Sequence, residues 1–290
     1  MEIGIGVPNS VRGTTGAQLL EWARRADAAG FSSLASIGAV SYPAYEELTV
    51  FAAAGAVTER IRFLPNVLIA PTRSTAELAK QAATVQELTG GRLTLGLGVG
   101  WREADYTLTG RDFAGRGEVF DRQLADLRRA WAGEALAEGT RPVVPETGRP
   151  GVPILVGGHT EAAVRRTVEH GIGWTAGGLP PEMVAPFLER VRAAWADAGR
   201  EGSPRFVVLN YFSLGDTEEQ SRAYLLDYYA PMGRETAEMI AGSAHRSPKA
   251  VQEAAAAFAE IGVDELVLDP TVSDPGQVDL LAEAVLPAPS

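Results

Sequence analysis

Along the chain, short apolar runs that read as strands alternate with amphipathic stretches that read as helices. Eight runs look like strands: Ile3–Val7, Ser33–Ile37, Ile61–Ile69, Leu93–Val99, Pro153–Gly157, Gly173–Gly177, Arg205–Phe212 and Glu265–Asp269. Several are nearly continuous in apolar residues, the pattern of parallel strands covered on both faces. Between them lie helical periods over Thr14–Ala29, Tyr45–Val57, Thr75–Leu88, Phe113–Trp131, Thr160–Glu169, Pro181–Ala198, Thr217–Tyr229 and Pro248–Ile261. A last helix is expected near Gln277–Val285. Leu19, Leu20, Ala23 and Ala26 share one stripe, as do Phe120, Leu124, Leu127 and Trp131. Gly30 and the Gly90-Gly91 pair are helix stops.

Eight strand–helix units predict an α/β protein with a parallel sheet, closed into a single (β/α)8 TIM barrel over residues 1–290. An open, doubly wound sheet is the structural alternative. Residues 133–151, rich in Gly, Pro and Glu, read as a long loop.

Composition narrows the function classes. The chain has 290 residues, no cysteine and a formal net charge of −11. That balance disfavours a nucleic-acid partner, and the missing cysteines remove thiolate chemistry. No basic leader or long apolar run is present, so a cytoplasmic protein with no membrane partner is expected. The three histidines, His159, His170 and His245, lack metal-ligand spacing, so no metal is expected.

In a (β/α)8 barrel the active site lies at the C-terminal ends of the strands. After the fifth run stand Gly157, Gly158, His159 and Thr160, opening a helix, and the sixth run ends in Gly177-Gly178. Free N–H groups at that helix start suit a phosphate, and two adjacent glycine turns could form one cradle; tight βα turns alone would also account for them. After the fourth run, Gly98 and Gly100 could admit a flat ring beside Trp101, or could serve a bulge or barrel packing. Asn66 is a polar residue at the rim of an apolar run; it could bond to a ligand ring or satisfy local backbone. The pairs Glu46-Glu47, Glu218-Glu219, Arg24-Arg25 and Arg165-Arg166 read as solvated surface charge. Tyr42, Tyr45, Tyr106, Trp174 and Tyr211 are either pocket aromatics or packing between barrel and helices. Segments 102–152 and 224–247 are expected to shape the pocket.

The stretch LAKQAATVQELTGGRLTLGLGVGWREADY, from Leu78 to Tyr106, resembles the central signature of the bacterial luciferase-like flavin-dependent oxidoreductases. IGIGVP, EWARRADAAGF, AVTERIRF, PILVGGHTEAAVRRTVEHGIGW and GVDELVLD match the same family in the same order, across essentially the whole chain. The resemblance implies a barrel binding reduced FMN or the deazaflavin coenzyme F-420. The phosphate would sit at Gly157, Gly158, His159 and Thr160, helped by Gly177 and Gly178. The ring would lie near Ser36, Asn66, Val67, Gly98, Gly100 and Trp101, with a non-proline cis peptide at Asn66–Val67. It further implies a small organic substrate, a separate flavin reductase as partner, and a homodimer.

The sequence also departs from the family. Ala35 to Val40 lacks the acidic–histidine pair that many members carry after the second strand, so no catalytic acid or base is assigned. The leading expectation is a monooxygenase using reduced FMN and O2. Hydride transfer with the deazaflavin is the alternative, its longer anionic tail met by Arg73, Arg102, Arg111 or Arg246. A flavin-binding protein without turnover is the third.

Overall fold

The computed structural model describes residues 1–149 and 151–287. Position 150 of the long loop and the last three residues of the expected domain lie outside the described residues. All strand pairings are parallel. The strands are β1 (Glu2–Gly6), β2 (Ser33–Ser36), β3 (Arg62–Pro65), β4 (Leu68–Ile69), β5 (Leu95–Gly98), β6 (Ile154–Gly157), β7 (Gly173–Gly177), β8 (Arg205–Phe212) and β9 (Glu265–Pro270).

Their order, β3-β2-β1-β9-β8-β7-β6-β5-β4, begins and ends on the two halves of the run predicted as one third strand. β3 pairs with β2, and β4 with β5. The ring is completed by a bridge between Phe63 and Leu93: Phe63 N donates to Arg92 O at 2.8 Å, and Thr94 N to Phe63 O at 2.9 Å. The eight predicted units therefore form one barrel, and the open-sheet alternative is excluded.

Side-chain alternation divides two layers. Leu64, Leu155, Val207, Leu209 and Val267 pack together inside the barrel with Ala35. Leu34, Phe63, Val156, Val208 and Leu268 pack outward under the helices. Those helices are α1 (Gly16–Ala29), α2 (Glu47–Gly55), α3 (Thr75–Leu88), α4 (Glu103–Thr109), α5 (Arg116–Trp131), α6 (Glu161–His170), α7 (Pro181–Asp197), α8 (Glu218–Tyr229), α9 (Arg234–Ser243), α10 (Pro248–Glu260) and α11 (Gly276–Val285).

Local chemistry sets their ends. At α1, Gln18 N donates to Thr15 Oγ1 and Thr15 N donates back to Gln18 Oε1, a reciprocal cap. Gly30, at φ 93°, stops the same helix in the left-handed region. Ser247 caps α10, with Pro248 at its first position.

Two features of the fold bear on where the site lies. The helices α4 and α9 fall inside segments expected only to shape the pocket. The 133–149 loop, by contrast, joins a helix end to a strand start, on the N-terminal side of the barrel. Its Thr147 and Arg149 donate to Glu87 near the end of α3, at 2.7 and 2.8 Å. It therefore shapes no part of the strands' C-terminal rim. Among the described residues, no helix is long and apolar enough to cross a membrane.

Candidate functional site

A cleft of about 350 Å³ opens at the C-terminal ends of the strands. It gathers Asn66, Val67, Gly98, Gly100, Trp101, Gly157, Gly158, His159 and Gly177. These nine predicted positions come from four loops far apart in sequence.

The floor is built around Asn66. Its Oδ1 accepts from Thr175 Oγ1 at 2.8 Å. Its Nδ2 is buried and has no partner among the described residues, so a donor is left at the cleft floor. The peptide between Asn66 and Val67 is cis, as the family resemblance implied. A Cβ on Gly98 would lie 2.8 Å from Val67 Cγ2, and one on Gly157 would lie 2.9 Å from Val67 Cγ1. Gly98, expected to admit a ring, and Gly157, expected in the phosphate cradle, thus make room for the protein's own valine. Gly100, at φ 66°, turns the chain against Ile69.

The glycine turns of the cleft have the features of an anion seat. Gly158 (φ 117°) leads into α6, which Thr160 caps by accepting from Ala163 N. The first N–H groups of a helix have no partner within it and face its entry. A Cβ on Gly177 or Gly178 would meet nothing within 4 Å, so open space lies beside this turn. His159 packs edge-on against Trp174 and Phe187, with centroids 5.5 and 5.8 Å away. Burial lowers its pKa, which favours the neutral imidazole. Trp174 Nε1 donates to Gly158 O at 2.7 Å and anchors the turn.

The third wall is aromatic. Trp101 stacks on Tyr229, with centroids 6.2 Å apart and planes 15° from parallel. Behind it the buried Arg102 lies 4.5 Å from the Trp101 ring and 4.0 Å from the Tyr228 ring. Arg102 Nη2 also donates to Tyr228 O at 2.5 Å, tying the end of α8 to the loop after β5. The phenols of Tyr211 and Tyr229 hydrogen-bond each other.

Three predicted residues are not part of this lining. Ser36 is fully buried, but its neighbours Ala35 and Ile37 belong to the interior cluster and Leu34 to the outer one, so Ser36 points outward. Ile37 and Gly38 line the cleft in its place. Thr160 serves the helix cap, and Gly178 N donates to Leu209 O at 2.8 Å. Of the candidate aromatics, only Tyr211 lines the cleft. Tyr45 donates to Thr14 O, Tyr106 to Val99 O, and Trp174 stands behind His159.

Two expected surface charges are buried. Glu47 is 6% exposed and pairs with Arg73 at 2.9 Å. A Cβ on Gly38 would meet Glu47 Oε1 at 1.9 Å, so this carboxyl stands directly behind the cleft wall. Burial pushes its pKa up to about 7, against the pull of Arg73. Arg166, also 6% exposed, bonds to Asp121 at 2.7 Å. Adjacent like charges carry no mark of which one a neighbouring element will cover. Tyr228 and Tyr229 were also missed; their signal was only their place in the 224–247 segment expected to shape the pocket.

A family model described as luciferase-like monooxygenase matches residues 1–285, and the chain belongs to that family. An uncharacterized protein of Mycobacterium tuberculosis is 33% identical over 207 residues, 61% of this chain and 71% of that protein. Two solved structures share the fold along nearly their full length. Monooxygenase RslO1 from Streptomyces bottropensis superposes with a TM-score of 0.79 at 22% identity, covering 99% of both chains. An F420-dependent secondary alcohol dehydrogenase superposes with a TM-score of 0.80 at 16% identity, covering 98% of both.

Proposed function

We propose that the protein is a monooxygenase whose cleft takes reduced FMN, delivered by a separate reductase, and oxygenates a small organic substrate. The observation that carries this reading is the distribution of polar groups in the cleft. One end offers helix N–H groups and open glycine turns, suited to a single phosphate. The floor offers the uncommitted Asn66 amide N–H, suited to the polar edge of a ring. Among the described residues, no lysine or arginine lines the cleft.

The last point favours reduced FMN over the deazaflavin named for one structural relative. A deazaflavin carries a longer anionic tail and calls for cationic walls. Three of the four arginines available for that task are engaged elsewhere. Arg73 pairs with Glu46 and Glu47, Arg102 holds Tyr228 O, and Arg246 holds Ala241 O and Ser221 Oγ.

Bound here, reduced FMN would supply the activation of O2. The chain's own residues have the remaining tasks. Thr160 keeps the N-terminus of α6 formed, and that helix start would hold the phosphate. Asn66, hydrogen-bonded to Thr175, would donate to the ring. Trp101, Tyr228 and Tyr229 exclude water from the reacting space.

Anaerobic titration of the purified protein with reduced FMN and with reduced deazaflavin tests the assignment. Saturable binding of FMN, followed by O2 consumption coupled to product from a ketone and aromatic panel, is expected. Preferential binding of the deazaflavin would move the protein to hydride transfer. FMN binding without substrate-coupled O2 uptake would sink the monooxygenase reading.

A further inference from the structure

The mouth of the barrel is rich in tyrosine, and most of its hydroxyls are spoken for. Tyr42 donates to Asp227 at 2.7 Å, Tyr224 pairs with Ser10 at 2.5 Å, and Tyr228 donates to Gly38 O at 3.3 Å. Tyr211 and Tyr229 bond only to each other among the described residues. Two phenols bring two protons, and the single bond between them uses one. One O–H is therefore left over, and both residues line the cleft.

Their setting keeps that proton in place. Tyr211 sits next to last in β8, on the barrel-facing side with Val207 and Leu209. Tyr229 is the last residue of α8, clamped between Trp101 and Tyr228. Burial pushes the Tyr229 phenol up to about 12 and that of Tyr211 well above its ordinary value. Both remain donors across the whole working range of pH. The Trp101 indole, Leu209 and Ile37 add apolar surface to the same cleft.

We propose that the Tyr211–Tyr229 pair is the substrate-orienting donor of this site, binding the carbonyl or phenolic oxygen of a flat, largely apolar substrate that packs against Trp101. The assignment rests on the flavin reading above for what happens to that substrate, but not for its recognition. It also supplies a polar group where the strand 2 end, Ala35 to Val40, has no ionisable side chain.

Hydrogen counting gives the test an unusual signature. Acetophenone and α-methylstyrene have nearly the same shape, and only the ketone accepts a strong hydrogen bond. Their affinities for FMN-loaded protein are measured by calorimetry, for the wild type, Tyr211→Phe, Tyr229→Phe and the double variant. FMN affinity is followed separately by flavin fluorescence.

The wild type should prefer acetophenone. Either single variant should keep that preference within about threefold, because the remaining phenol still has a proton to give. The double variant should lose about tenfold for acetophenone and nothing for α-methylstyrene. Removing both partners together leaves no orphaned group, so the double variant keeps its fold.

Equal binding of the two probes by the wild type overturns the proposal. So does an equal loss for both probes in the double variant, which would mark a packing role. Weakened FMN binding in the double variant would assign the pair to the cofactor instead. If the wild type binds no FMN, the flavin reading fails by itself, and the probe pair on cofactor-free protein still decides the donor.

Discussion

Replacing Gly98 by alanine tests whether the glycines of the strand 5 end serve the ligand or the protein. The new methyl would stand 2.8 Å from Val67 Cγ2, well inside van der Waals contact. The backbone at Gly98 is not in the left-handed region, so this collision is the main local effect. Overpacking of this kind costs about 1–3 kcal/mol. Val67→Ala alone removes two partly buried methyl groups and should cost about 1 kcal/mol. If the collision is the cause, the double variant recovers most of the Gly98→Ala loss, and the cycle yields a coupling of at least ~1 kcal/mol. Urea denaturation reads this directly. With an m-value of about 3 kcal/mol per molar, a 2 kcal/mol loss moves the midpoint by about 0.7 M. Gly178→Ala is the control. It meets no neighbour but stands at φ 67°, so its cost of about 1–2 kcal/mol is backbone strain that Val67→Ala leaves untouched. Additive effects of Gly98→Ala and Val67→Ala would refute the packing account and return Gly98 to the ligand.

Three further outcomes are expected. Asn66→Ala removes the free donor at the cleft floor and should weaken FMN binding by about tenfold to a hundredfold, measured by fluorescence titration. An unchanged affinity would remove Asn66 from the ring contact. Thr160→Ala should cost about 1 kcal/mol of stability through the lost cap and should weaken FMN while leaving riboflavin, which has no phosphate, unaffected. Equal losses for both flavins would place the phosphate elsewhere. The Glu47 carboxyl has a folded pKa of about 7 against an ordinary 4.5, so folding binds a proton between those values. Its stabilising contribution is complete below about pH 4.5 and is lost as pH rises through 7, by up to about 3 kcal/mol. Denaturation midpoints of Glu47→Gln should therefore fall less than those of the wild type from pH 5 to pH 8. The three histidines, all lowered by burial, act in the opposite direction but are common to both proteins and cancel in the difference. Parallel pH profiles would show that Glu47 is solvated.

The fold was legible because its period is strong: each unit changes from an apolar run to a 3.6-residue pattern, and eight such changes leave little choice of architecture. What was lost lay where periodicity has no contrast. Ser33-Leu34-Ala35-Ser36 is buried at every position, so alternation could not show that Ser36 faces the helices. Glu46 and Glu47 look alike in sequence, and only the approach of Arg73 and Gly38 separates a half-exposed cap from a buried carboxyl. The stack of Trp101 on Tyr229 joins a strand end to a helix end across more than a hundred residues. No local pattern encodes that meeting.

The glycines show the same limit in its sharpest form. Gly98 and Gly157 on one side, and Gly177 and Gly178 on the other, all stand at strand ends and all read as room for a ligand. A missing Cβ makes room, but sequence does not say for what. At Gly98 and Gly157 the room is filled by the two methyls of Val67, while at Gly177 and Gly178 it stays open beside the start of α6. On the proposed reading, the first pair would act on a cofactor through the position of Val67, and the second through the space it leaves. Substitutions at the first pair should be rescued by trimming Val67, whereas a bulky residue at Gly177 should exclude FMN without any second-site rescue at that valine.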